Sequence, residues 1–260
     1  MNVVGFIAAR MASIRYPNKP MVPLRGIPML GHVYFRARLS TALDDVVIAT
    51  CDNAIMEYCT QIGARGIRTR DTHERATDRV AEALPYYEAA TGRRVDVAVL
   101  VQGDEPMLMP DMLNALVGPM RAEPLAIANL VSPIVSAEEF EDPNTVKCVR
   151  DRENFAMYFS REPIPSRQKY SDAVPMWKQL GLIAFTREAL LAYMQLAPTP
   201  LEVIESVDMN RWLEHGKRIF LVETLHRTTA VDTPGDLTRV QALMADDALV
   251  ASYASRAGGR

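Results

Sequence analysis

The chain has 260 residues, 48% of them hydrophobic and 23% charged, enough to bury a sizeable core in one globular domain or one domain with an embedded lobe. A net charge of −3 gives no long-range attraction to nucleic acid or to an anionic membrane, so neither is expected as a partner. No apolar run approaches the ~18 residues of a membrane span, no secretory leader pattern opens the chain, and Cys51, Cys59 and Cys148 lack CxxC spacing. A cytoplasmic protein with buried or idle thiols is expected.

The first element is the apolar run of residues 3 to 8, which reads as a strand. It runs directly into "AARMASIRYPNKP" (8–20), where Pro17 and Pro20 forbid a continuing helix or central strand and predict an ordered loop. Leu30, Val33, Tyr34 and Ala37 follow at helical spacing, with Pro28 near the first turn. "DVVIAT" (45–50) reads as a buried strand, and "DNAIMEYCTQIG" (52–63) as a helix capped by Asp52 and closed by Gly63. "VDVAVLVQGDEP" (95–106) is a third strand running into an acidic turn. This alternation predicts a mostly parallel sheet with helices on both faces.

From about residue 125 the texture changes to closely spaced strands, "LAIANLVSPI", "NTVKCVRDR", "FAMYFSR" and "QLGLIAFT". "EVIESVDMNRWLEHG" (202–216) reads as one helix ending on Gly216, residues 218–225 as a late strand, and "TPGDLTRVQALMADDAL" as the closing helix. The division expected is a nucleotide-binding part, about 1–125 and 217–250, a β-rich lobe, about 126–216, and a frayed tail at 251–260.

The chemistry concentrates where strands end. Open parallel sheets bind ligands at the carboxyl ends of their strands, and the first such loop carries Arg10, Arg15 and Lys19, which points to a ligand with several negative charges. Asp104 and Glu105 follow the third strand, and Asp232 follows another apolar approach before Thr233 and Pro234 open a helix. Hard divalent cations take carboxylate and phosphate oxygens, so two carboxylates facing a cationic loop would make a metal and polyphosphate site. Turn geometry at Asp104 and a helix cap at Asp232 are the bland alternatives. His32, His215 and His226 are isolated and read as structural, and Met107, Met109 and Met112 as core filler.

The ordered set Ala9-Arg10-x-x-Ser13-x-Arg15-x-Pro17-x-Lys19-Pro20, Gln102-Gly103-Asp104-Glu105-Pro106, Phe159-Ser160-Arg161 with Ile164-Pro165, and Val231-Asp232-Thr233-Pro234 resembles the CMP-Kdo synthetase family, the 3-deoxy-manno-octulosonate (Kdo) cytidylyltransferases. The resemblance implies an α/β, Rossmann-like nucleotide-diphospho-sugar transferase fold, CTP as donor, magnesium, and a homodimer. It implies that Ala9, Arg10, Ser13, Arg15, Lys19 and Gln102 hold CTP, that Asp104 and Asp232 hold the metal, and that Lys19, Arg10, Asp104 and Asp232 carry catalysis. "RTRDTHERATDR" (68–79) is similar to a further family segment of the nucleotide pocket: Thr69, Arg70, His73, Thr77, Asp78 and Arg79 fit, whereas Arg75 and Ala76 replace Ser-Gly. The same residues could form a helix start capped by Thr77 with Arg75 in solvent, and both readings stand.

The acceptor half departs from the pattern. Gln179 and Ile183 stand where the family commonly has His and Tyr, and Asp208-Met209 replaces Glu-Gln, whereas Arg161, Glu202 and Glu205 match; on a helix the two glutamates could equally be a solvated face. Loss of hydroxyl partners predicts an acceptor other than Kdo, bound by Arg161, Gln179, Ile183, Glu205, Asp208 and Arg75: another ulosonic acid, or a carboxylate or phosphonate such as phosphonoformate. The alternatives are a genuine CMP-Kdo synthetase, a nucleotide-binding module without turnover, and a UTP- or GTP-dependent enzyme of sugar phosphates, which the non-glycine first loop disfavours.

Overall fold

The computed structural model describes residues 1–12, 16–167, 175–231 and 233–257. The chain forms two compact units, Met1–Asn114 with Thr228–Arg260, and Ala115–Arg227.

In the first unit β1 (Val3–Ala8) pairs in parallel with its neighbours on both sides. That central place explains its unbroken apolar sequence, because both faces are covered: Val3, Val4, Phe6 and Ile7 are wholly buried. Pro23–Leu24 (β2) and Ile27–Pro28 (β3) make a minimal hairpin over Arg25 and Gly26, both at positive φ (48° and 82°), the combination that a two-residue primed turn requires. Helix α1 (Met29–Arg38) follows, then β4 (Asp45–Thr50), α2 (Asn53–Gln61), β5 (Arg65–Arg68), α3 (Ala76–Thr91) and β6 (Val97–Gln102). The strand order is β6-β1-β4-β5, all parallel, and the register sets Ala8 level with both Gln102 and Ala49 at the carboxyl edge.

Helix α4 (Pro110–Ala122) leads into the second unit. There β7 (Ile127–Pro133) is followed by α5 (Ala137–Glu141), β8 (Lys147–Arg150), β9 (Ala156–Ser160), β10 (Trp177–Thr186), α6 (Arg187–Tyr193), α7 (Pro200–Glu205), α8 (Met209–Glu214) and β11 (Phe220–Glu223). β10 is antiparallel to both β7 and β8, β8 is antiparallel to β9, and β11 runs parallel to β7. The expected single helix over 202–216 is two, because Ser206 turns the chain at φ 52° between α7 and α8. The break turns Glu202 and Glu205 inward: both are buried, and Glu202 accepts two bonds from the Arg211 guanidinium, at 2.6 and 2.5 Å.

The chain returns to the first unit through α9 (Pro234–Leu243) and α10 (Ala248–Ala257). The expected frayed tail is therefore a helix as far as Ala257, and Tyr253 is 2% exposed. Its apolar spacing is short enough to escape notice in a chain end rich in Ala and Ser, yet it packs on α1, where Phe35 and Tyr253 stack with ring centroids 5.7 Å apart. No described helix is long and apolar enough to cross a membrane.

Candidate active site

The cationic loop is anchored at its two ends. The Asn18 amide donates to the Met11 carbonyl at 3.1 Å, and the Met11 amide donates to Asp52 Oδ2 at 2.8 Å. Asp52 occupies the capping position of α2 as the spacing predicts, but its carboxylate serves the loop and makes no side-chain cap. Helix-start chemistry alone could not show that partner, 41 residues away in sequence. Ser13 and Arg15 lie outside the described residues.

A 3-10 turn, Lys19–Met21, then delivers Lys19 to Asp104. Lys19 is 9% exposed, and its ammonium lies 2.8 Å from Asp104 Oδ2. Asp104 stands two residues beyond β6, and the turn comes close to β1 because residue 103 is glycine: a Cβ there would meet the Ala8 carbonyl at 3.0 Å. Asp104 Oδ1 is buried and has no hydrogen-bond partner among the described residues. A buried, unsatisfied carboxylate oxygen beside the Lys19 ammonium fits a hard divalent ion, which takes carboxylate oxygens readily. The Val231 amide donates to the Asp104 carbonyl at 3.0 Å, so the chain immediately before Asp232 runs beside this turn. Asp232 itself lies outside the described residues, and Thr233 is the cap of α9, its hydroxyl accepting from the Asp236 amide at 3.2 Å.

A second group of cations stands at the start of α3. Arg10 is exposed and its Nη1 donates to the His73 carbonyl at 3.3 Å, which joins the first loop to this segment. Glu82 organises the segment: it accepts from the Arg70 amide at 2.9 Å, from Arg70 Nε at 3.0 Å, and pairs with His73 Nε2 at 2.5 Å. Burial alone would raise the Glu82 pKa, but the bonds from the Arg70 backbone and His73 outweigh it and hold the carboxyl below its ordinary value. Neither Glu82 nor Asp52 was legible as a site residue, since each works by holding another.

Arg79 is buried, with Nη1 on Thr69 Oγ1 at 2.6 Å and Nη2 without a partner among the described residues. Thr77 is buried inside the first turn of α3, and Arg75, half-buried, holds the cap position expected of Thr77. Ala9 is buried with its amide on the Ala49 carbonyl at 3.1 Å, and Gln102 is half-buried at the end of β6.

In the second unit Glu205 is a hub. Its Oε1 accepts from the Tyr158 and Ser160 hydroxyls, both at 2.8 Å, and its Oε2 from the Arg161 amide at 2.8 Å. The Arg161 guanidinium donates to the carbonyls of Glu205 (2.7 Å), Pro143 (2.9 Å) and Ser206 (3.4 Å). Burial raises the Glu205 pKa, while the bonds from the Arg161 backbone, Ser160 and Tyr158 lower it further, so the net shift is downward. A carboxyl whose pKa is depressed by folding stabilises the fold above its unfolded pKa of about 4.3 and loses that contribution as pH falls through the folded value. Glu205→Ala should cost about 2–4 kcal/mol, since three donors lose their acceptor, and should flatten the acid limb of the urea midpoint measured between pH 6 and pH 3. An unchanged midpoint and acid limb would make the hub dispensable.

A family model described as cytidylyltransferase matches residues 4–219. The chain belongs to this cytidylyltransferase family. It is therefore a nucleotidyltransferase, and the mostly parallel α/β architecture is shared with solved members. The 3-deoxy-manno-octulosonate cytidylyltransferase of Geobacter metallireducens is 39% identical over 92% of this chain and 96% of its own length. That of Solibacter usitatus is 40% identical over 93% and 94%, and the mitochondrial one of Arabidopsis thaliana 36% over 93% and 83%. A solved CMP:2-keto-3-deoxy-manno-octonic acid synthetase complexed with CTP superposes with a TM-score of 0.86 at 36% identity, over 95% of this chain and all of that one. The 4-diphosphocytidyl-2C-methyl-D-erythritol synthase of Anaerococcus prevotii, at 10% identity and a TM-score of 0.62, shares the fold alone.

These relatives overturn the expectation of an acceptor other than Kdo, phosphonates included. The geometry supplies a physical reason why the four departures misled. Ile183 is 3% exposed and Met209 wholly buried, so both are core positions. Gln179 donates to Asn129 Oδ1 at 2.6 Å, and Asn129 in turn donates to the Leu180 and Leu182 carbonyls, at 2.9 and 3.0 Å, across the irregular register between Gln179 and Ile183. Asp208 stands at the cap position of α8, its carbonyl accepting from the Tyr193 hydroxyl at 3.1 Å. Substitution at Ile183 and Met209 repacks the interior of the unit, so treating all four positions as ligand-facing overstates the change.

Proposed function

We propose that this protein transfers CMP from CTP to 3-deoxy-manno-octulosonate with release of pyrophosphate, as a magnesium-dependent, cytoplasmic homodimer. The observation that carries the reading is end-to-end similarity, at 36–40% identity, to proteins described as 3-deoxy-manno-octulosonate cytidylyltransferases, together with the 0.86 superposition on a synthetase holding CTP.

In the reaction an acceptor hydroxyl oxygen attacks the α-phosphorus of CTP, a new O–P bond forms in line with the breaking α–β bridge, the hydroxyl proton is lost, and pyrophosphate leaves. Such transfers ask little covalent chemistry of a protein, so positioning and charge complementarity supply most of the rate. Lys19 and Arg10 oppose phosphate charge, and Ser13 and Arg15 of the same segment are assigned to the triphosphate with them. Arg70, Thr77, Arg79, Ala9 and Gln102 shape the nucleotide pocket, Arg70 being fixed by Glu82. Asp104 and Asp232 would hold magnesium, a pairing that the backbone bond between Val231 and Asp104 supports. When bound, the ion neutralises phosphate charge and lowers the pKa of an acceptor hydroxyl. Arg161, already locked by carbonyls and by the Glu205 hub, orders the acceptor side.

The test is to supply CTP, magnesium and Kdo and to read the mass of the CMP adduct together with pyrophosphate release. Formation of CMP-Kdo, with UTP and GTP inert, is expected; a UTP or GTP preference would overturn the donor assignment. Light scattering at twice the monomer mass would support the dimer, and a monomer would remove it.

A further inference from the structure

A buried polar chain begins on α10 and reaches the segments that carry Lys19 and Asp104. Arg36 and His32, on one face of α1, are both wholly buried, an expensive placement for a cation and an imidazole unless each polar atom finds a partner. Arg36 Nε donates to the Tyr253 hydroxyl oxygen at 3.0 Å, and Arg36 Nη2 pairs with Asp247. The Tyr253 hydroxyl is 2.7 Å from His32 Nδ1, and His32 Nε2 is 2.9 Å from the Leu24 carbonyl.

The directions of these bonds can be assigned. A carbonyl only accepts, so Nε2 carries the imidazole proton and donates to Leu24; Nδ1 then has a lone pair and accepts from Tyr253, whose oxygen accepts from Arg36. Burial lowers the His32 pKa, in keeping with the neutral ring this arrangement needs. Arg36 Nη1 donates separately to the Leu108 carbonyl at 3.2 Å.

The two carbonyls so gripped belong to the two segments that supply the Lys19–Asp104 pair. Leu24 lies at the end of the stretch that begins with the Lys19 turn, and Leu108 closes the turn that begins at Glu105, directly after Asp104, its amide on the Glu105 carbonyl at 3.1 Å. An apolar cluster of Leu24, Met29, Val231, Val240 and Met244, with Tyr16 and Met107 against it, joins the same segments from the other side.

We propose that Tyr253, acting with Arg36 and His32, is a positioning residue for nucleotidyl transfer: the buried relay from the C-terminal helix sets the Lys19 segment and the Asp104 turn at their working separation. The proposal rests on the roles given above to Lys19 and Asp104. It makes the last helix part of the catalytic framework.

The experiment compares Tyr253→Phe, which keeps the ring and removes the relay's central hydroxyl, with Phe35→Leu, which disturbs the packing of the same ring and leaves the relay intact. Both are assayed well below their melting temperatures, for kcat and for the Kd of CTP with and without magnesium by calorimetry. Tyr253→Phe should lower kcat about tenfold to a hundredfold and weaken CTP binding, because small misplacements of a reacting pair are costly. Phe35→Leu, with at least as large a loss of Tm, should hold kcat and Kd within about twofold of wild type. Parallel losses in the two variants, or a Tyr253→Phe protein matching wild type in both readouts, would overturn the relay. If wild type binds CTP but makes no CMP-Kdo, the acceptor assignment falls by itself, and the Kd comparison still decides the relay.

Discussion

Asp104→Asn should lose about three orders of magnitude in kcat while retaining the circular dichroism spectrum and cooperative unfolding of the wild type. Asparagine keeps the shape of the turn and an oxygen where Oδ1 now lies buried without a partner, but it removes the charge that both Lys19 and a divalent cation require. The proposed metal would supply several kcal/mol of transition-state stabilisation, which is the size of the expected loss. Stability should fall by only about 1–3 kcal/mol, the cost of leaving Lys19 half-compensated. Asp232→Asn should behave in the same way, and here the cap alternative separates cleanly: Thr233, not Asp232, caps α9. Raising magnesium should restore part of either activity. A variant with wild-type turnover at every magnesium concentration would remove that residue from the metal site.

Lys19→Ala should weaken CTP binding by about ten- to a hundredfold and CMP by far less, because in the proposed role the side chain would oppose phosphates that CMP lacks, and a charge-assisted bond contributes about 1.5–3 kcal/mol. Arg10→Ala should show the same selectivity with a smaller loss, since Arg10 is exposed and screened, its recorded bond being a 3.3 Å contact to the His73 carbonyl. Equal losses for CTP and CMP, measured by calorimetry in the same buffer, would place both cations away from the β- and γ-phosphates.

The parallel part of the fold is written plainly in the sequence because its strands are buried on both faces and so read as unbroken apolar runs, "VVGFIA", "DVVIAT" and "VAVLVQ". Lys19 and Asp104 are legible for the same reason: a cation and an acid at adjacent strand ends have few places to go. What stayed hidden is what depends on partners distant in sequence. Asp52 looks like a cap and holds Met11; Glu205 looks like one side of an acidic helix and is the acceptor for three donors; Tyr253 looks like part of a tail and closes a buried relay. The acceptor inference failed at this boundary. Position in a motif could not distinguish Ile183 and Met209 as core residues from pocket residues, and an apolar substitution in a core says nothing about the polarity of a ligand.

A competition assay reads the acceptor directly. With CTP and magnesium at saturation, Kdo, other ulosonic acids and small phosphonocarboxylates are offered together, and kcat/KM for each is taken from the masses of the CMP adducts. The expected result is that CMP-Kdo exceeds every other adduct, and by at least about a hundredfold over the phosphonocarboxylates, the discrimination of a hydroxyl-binding site against acceptors that lack hydroxyls. A kcat/KM for any other acid equal to or above that for Kdo would contradict it.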